Sequence, residues 1–117
     1  MLTSGQVAEQ LACDYLQQQK LTLITKNYHC RRGEIDLIMQ DQDTLVFVEV
    51  RYRKSNRYGS ALESIDFKKQ QKIIFTAQHY LSTQSPSLSL YRFDVIAITP
   101  TKVQPEITWV KDAFQLN

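Results

Sequence analysis

The alternation of apolar and polar residues along the chain divides it into seven elements. Val7, Ala8, Leu11, Ala12, Tyr15 and Leu16 recur at helical spacing, and Thr3 followed three residues later by Gln6 fits a capping box, so a first helix is expected to start at Thr3. Leu21–Thr25 (LTLIT) reads as a short strand, followed by a polar loop over 26–33 that holds His29, Arg31 and Arg32. A hairpin comes next: Glu34–Gln40, a turn at Asp41–Asp43, then Thr44–Tyr52, whose β-branched and aromatic content is high. Beyond Arg53 the chain is polar as far as Ser60, with Gly59 as a breaker. A second helix is expected over about 64–81, with Phe67, Ile74, Ala77 and Leu81 on its apolar face and Lys68, Lys69 and Lys72 toward the other side. Strands at 90–98 and about 107–110 close the chain. The order α-β-β-β-α-β-β implies one α/β domain over residues 1–117.

Within the hairpin, strand alternation sorts side chains by face. Val46, Val48 and Val50 share one face; Leu45, Phe47, Glu49 and Arg51 share the other. Glu34, Asp36 and Ile38 share a face of the first strand. A two-residue turn at Gln42–Asp43 sets Asp41 opposite Thr44, Ile38 opposite Phe47, Asp36 opposite Glu49 and Glu34 opposite Arg51. Carboxylates that close repel unless a cation lies between them or one holds a proton. A divalent metal bound by one or two carboxylates satisfies both. The other reading pairs Glu49 with Arg51 or Arg92 and leaves Asp36 solvated, and a register slip of one residue separates the two acids. Glu9 lies at the edge of the first helix's apolar stripe, where it either reaches inward or is an ordinary exposed first-turn acid.

Composition adds bounds. Hydrophobic residues make up 43% and charged residues 22% of the 117, a globular balance rather than a disordered one. Cys13 and Cys30 lack zinc-site spacing and read as reduced thiols. The N-terminal stretch has no signal-peptide pattern, and no apolar run approaches the roughly 20 residues of a membrane span. A cytoplasmic protein with no membrane partner is expected. Net charge is only +2, but half of the 14 basic residues fall between Arg51 and Lys72, against two acids there, Glu63 and Asp66. Such a stretch is either a phosphate-backbone footprint or a solvated helix face.

The run Gly33-Glu34-Ile35-Asp36-Leu37-Ile38, then Val46-Phe47-Val48-Glu49-Val50-Arg51-Tyr52-Arg53, resembles the signature of the PD-(D/E)XK nuclease superfamily. It is more closely similar to the YraN-like family of small bacterial proteins. The likeness spans nearly the whole chain and includes Gly5, Glu9, Asn27, Gly59, Lys68 and Arg92-Phe93-Asp94. It implies a restriction-endonuclease-like core, a central mixed sheet flanked by helices. It also implies a site in which Glu9, Asp36, Glu49 and Arg51 are catalytic and Asp36 and Glu49 hold Mg²⁺ or Mn²⁺. Arg53, Lys54, Arg57, Lys68 and Lys72 would then contact nucleic acid, DNA in the first instance. Arg51 stands where the superfamily has Lys. Arginine cannot act as a base, although it can hold a phosphate oxygen. Three functions stay open: a metal-dependent nuclease for branched or damaged DNA, a nucleic-acid-binding module without strong catalysis, and an interaction protein. A homo-oligomer is compatible with each.

Overall fold

The computed structural model describes residues 2–54 and 59–115. Thr3 caps the first helix, α1 (Ser4–Gln18), through the anticipated capping box. Three antiparallel strands follow: β1 (Thr22–Cys30), β2 (Gly33–Asp41) and β3 (Thr44–Tyr52). After a 3-10 turn at Leu62–Ser64 come α2 (Phe67–Gln84), β4 (Leu90–Thr99) and β5 (Glu106–Phe114). The sheet runs β1-β2-β3-β4-β5, with β3 and β4 parallel and the other neighbours antiparallel. The result is the α/β mixed-sheet arrangement of a restriction-endonuclease-like fold.

Each face of the sheet carries one helix. Ala8, Ala12, Cys13 and Leu16 of α1 pack on Leu37, Met39, Val46, Val48, Ile96 and Ile98. Ile73, Ile74, Ala77 and Tyr80 of α2 pack on Ile38, Leu45, Phe47, Phe93 and Val95. Burying both faces explains the almost unbroken apolar character of β3 and β4. Ile35 joins the α2 side out of step with strict alternation, at a point where β2 has stopped pairing with β3.

Several boundaries differ from the sequence reading. The expected loop over 26–33 is mostly strand, because Lys26, Tyr28 and His29 pair with Leu37, Ile35 and Glu34. Only Arg31 and Arg32 remain as a turn. β1 is an edge strand, so its polar residues face solvent and hide the strand signal. The second helix begins at Phe67, not Ser64: the Asp66 side chain accepts a hydrogen bond from the Lys69 N–H at 2.8 Å and caps it. Phe67, expected on the apolar face, is 65% exposed because it lies in the first turn, beyond the sheet contact. β5 continues to Phe114, which stacks on Phe93 with centroids 5.1 Å apart. Cys13 and Cys30 are free thiols. Among the described residues no helix is long and apolar enough to cross a membrane.

Candidate active site

The register inferred for the β2–β3 hairpin holds from Asp41↔Thr44 through Ile38↔Phe47 to Leu37↔Val48, where the ladder ends. Beyond it β2 stays with β1, while β3 stays with β4 through Tyr52↔Ile98. The separation opens a wedge at Asp36 and Glu49. Asp36 spans it, its Oδ2 accepting the Val50 N–H at 2.8 Å. A side-chain acceptor thus replaces a ladder carbonyl and satisfies a backbone donor that would otherwise be left unpaired.

The two acids meet just beyond the end of the ladder, not as a cross-strand pair within it. Both are buried, Asp36 at 8% and Glu49 at 5% exposure. Burial, then a hydrogen bond shared with Glu49, then the Glu49 charge push the Asp36 carboxyl up to about 8, against the opposing effects of the Val50 N–H and Lys69. Two buried carboxyls in contact repel as a pair of anions, so the fold favours the protonated form of Asp36. Lys69 Nζ lies 3.4 Å from Glu49 Oε2 and supplies part of the missing positive charge. This donor set, two oxygen-bearing side chains held together against their repulsion, fits a hard divalent cation that completes its shell with water. Among the described residues no group of three or more His, Cys, Asp or Glu converges as a full ligand cage.

Glu9 projects from α1 into the influence of this pair. Burial raises its pKa first and the Asp36 charge second, while a hydrogen bond with the Asn27 side chain lowers it. The β1–β2 register sets Asn27 opposite Asp36, and Asn27 adopts a left-handed backbone (φ 52°), which asparagine tolerates better than most residues. Glu9 is therefore half-buried and turned toward the wedge, the inward alternative for this side chain, but it stands outside the Asp36–Glu49 contact.

Arg51 is held elsewhere. Its guanidinium donates to the Ser64 carbonyl at 3.3 Å. The expected facing of Glu34 and Arg51 does not form, because the strands have already separated; Glu34 pairs with His29 at 3.3 Å. Arg92 pairs with Asp41 and Asp94, both at 3.0 Å, so it does not serve Glu49 either. Of the basic residues assigned to nucleic acid, Lys54, Lys68 and Lys72 are exposed. Arg53 is half-buried, with Nη1 enclosed. Arg57 lies outside the described residues.

Lys69 is the residue the sequence reading turned the wrong way. The sequence places it with Lys68 and Lys72 on the outer side of the helix, yet it lies four residues before Ile73 and seven before Thr76, both buried. That i, i+4, i+7 spacing is the available signal, and it places Lys69 at the end of the inward stripe. The neighbouring Gln70 side chain donates to the Ile65 carbonyl at 3.1 Å.

Comparison with known proteins matches residues 8–98 to the uncharacterised protein family UPF0102. A UPF0102 protein of Nitrosococcus oceani is 52% identical over 114 residues, covering 97% of this chain and 92% of the relative. One from Psychromonas ingrahamii is 53% identical over 113 residues, covering 97% and 90%.

Proposed function

The chain belongs to the UPF0102 family, and we propose that it is a divalent-metal-dependent nuclease acting on DNA at the Asp36–Glu49 site. The observation that carries this reading is the buried carboxyl pair beside a lysine in a wedge between strands. Structural ion pairs seldom oppose two acids in a core, because each burial costs free energy that the other's charge increases. A site that must grip a cation has a use for that arrangement.

Asp36 and Glu49 would hold Mg²⁺ or Mn²⁺, which when bound neutralises phosphate charge and acidifies water. The chain's own groups do the remaining work. The Val50 N–H fixes one Asp36 oxygen, so the carboxylate is already oriented. Lys69 holds Glu49 and presents an ammonium at the mouth of the wedge, where charge would develop on a phosphate. This role belongs to Lys69 more readily than to Arg51, whose guanidinium is occupied by Ser64. Glu9, held by Asn27, adds negative potential that favours a cation near Asp36.

The test is a cleavage assay with Mn²⁺ or Mg²⁺ on single-stranded, duplex and branched DNA, beside an Asp36→Ala control. Metal-dependent cleavage by the wild type alone supports the reading. No cleavage above the control on any of these substrates rejects it. The engagement of Arg51 favours a second reading, DNA binding without hydrolysis; retention of DNA with no product would select it.

A further inference from the structure

Two neighbouring cavities lie outside the carboxyl pair and share part of their walls. One, of about 420 Å³, lies between the Arg31–Arg32 turn and α2 and is lined in part by Lys69 and Lys72. The second, of about 430 Å³, is shared by the same turn and the outer face of α2, with Lys68, Lys72 and Phe75 along it. Arg32 and Lys72 line both. Lys69 lines the first and touches Glu49, so that cavity borders the candidate active site. The two linings carry five basic residues and a single acid, Glu34, which is paired with His29.

The far end is aromatic. Phe75 is 38% exposed, and the Arg32 guanidinium lies over its ring, 4.6 Å from the centroid. A planar cation backed by an aromatic ring is a platform on which a nucleobase can stack, and every base has such a face to offer. Lys68 and Phe75 are seven residues apart on the helix, about 10 Å at 1.5 Å per residue.

We propose that this groove binds an unpaired segment of a nucleic-acid strand, with phosphates along Lys69, Lys72 and Lys68 and a base stacked on the Arg32–Phe75 platform. The proposal rests on the nuclease reading and narrows it: the substrate has single-stranded nucleotides beside the scissile phosphate. A blunt duplex, whose bases are all stacked internally, has none to offer the platform.

The test compares binding of a fluorescent 20-nucleotide single strand and a blunt duplex of the same length to wild type, Arg32→Lys, Phe75→Leu and Lys72→Ala, by anisotropy in EDTA. Arg32→Lys keeps the charge and removes the plane. Arg32→Lys and Phe75→Leu are each expected to weaken single-strand binding on the order of tenfold and to leave duplex binding nearly unchanged. Lys72→Ala is expected to weaken both. Equal losses on the two DNAs, no loss at all, or no single-strand binding by the wild type would overturn the proposal. A Mn²⁺-dependent rise in melting temperature, together with cleavage abolished by Asp36→Ala, is scored separately. If those persist while the groove variants behave as wild type, the groove assignment fails and the active-site assignment stands.

Discussion

Lys69 and Glu49 are joined at 3.4 Å across the mouth of the wedge between β2 and β3, the lysine half-exposed and the glutamate buried. An ion pair with one end in water contributes little to stability, within about 1 kcal/mol. Its position beside a second buried acid gives it another use, to hold Glu49 in place next to Asp36. Lys69→Gln is therefore expected to change the unfolding free energy by no more than about 1 kcal/mol. Metal-dependent cleavage should fall on the order of a hundredfold, the scale of losing one donor to developing charge. Arg51→Lys should alter cleavage far less. Equal effects of the two substitutions would remove Lys69 from its assigned role.

The Asp36 carboxyl, raised to about 8 in the fold, makes stability depend on pH. A group whose folded pKa exceeds its unfolded value favours folding while protonated. Its contribution is complete below the unfolded value of 3.8, declines as pH rises, and is gone above about 8. Without metal, Asp36→Asn should consequently be more stable than the wild type at pH 8, with the difference shrinking toward pH 4. Each unit of relieved shift corresponds to about 1.4 kcal/mol. Mn²⁺ competes with the proton, so its stabilisation of the wild type should grow from pH 6 to pH 8 and be absent in the variant. Melts across that range, with Mn²⁺ and with EDTA, measure both. A wild type whose melting temperature ignores Mn²⁺ at pH 8 would falsify the metal assignment.

Gly33 closes the β1–β2 turn against α2. A Cβ added there would lie 2.9 Å from Thr76 Oγ1, and Thr76 is fully buried, its hydroxyl donating to the Lys72 carbonyl at 2.8 Å. The close approach of backbone to helix requires glycine, and it also brings Arg32 within reach of Phe75. Gly33→Ala should destabilise by about 1–3 kcal/mol, as overpacking of a filled site does. It should also weaken single-strand binding beyond what an exposed turn substitution would. A urea midpoint equal to that of the wild type would contradict this.

How far the sequence disclosed this arrangement depends on the kind of signal. The Asp36–Glu49 meeting was legible in part: a two-residue turn fixes the register as far as Leu37↔Val48, and continuing the same count brings the two acids to one place. The length of β1 was not, because an edge strand carries polar residues with little penalty. The inward turn of Lys69 was legible in principle from its spacing to Ile73 and Thr76, but a lysine at the end of a stripe reads as solvent-facing until the wedge is seen. The left-handed Asn27 and its bond to Glu9 leave no local mark, since both depend on where α1 crosses the sheet.

Asp94 separates scaffold from site. It is fully buried on β4 and accepts hydrogen bonds from Arg92 Nε, from Trp109 Nε1 at 3.0 Å and from the Asp112 N–H at 2.9 Å. Asp112 has a left-handed backbone (φ 50°), and the β4–β5 register shifts between Phe93 and Val95. The carboxylate therefore pins an irregular β5 onto the sheet while neutralising part of Arg92, which also reaches Asp41. Every oxygen is used within the protein, which marks a structural acid. Asp94→Ala would orphan two donors and leave Arg92 with one partner, at a cost of about 3–5 kcal/mol. Asp94→Asn keeps an acceptor and should lose less. In the Asn variant the Mn²⁺-dependent rise in melting temperature should persist, because the β2–β3 wedge does not depend on this contact. Its disappearance would instead place Asp94 within the metal-binding machinery.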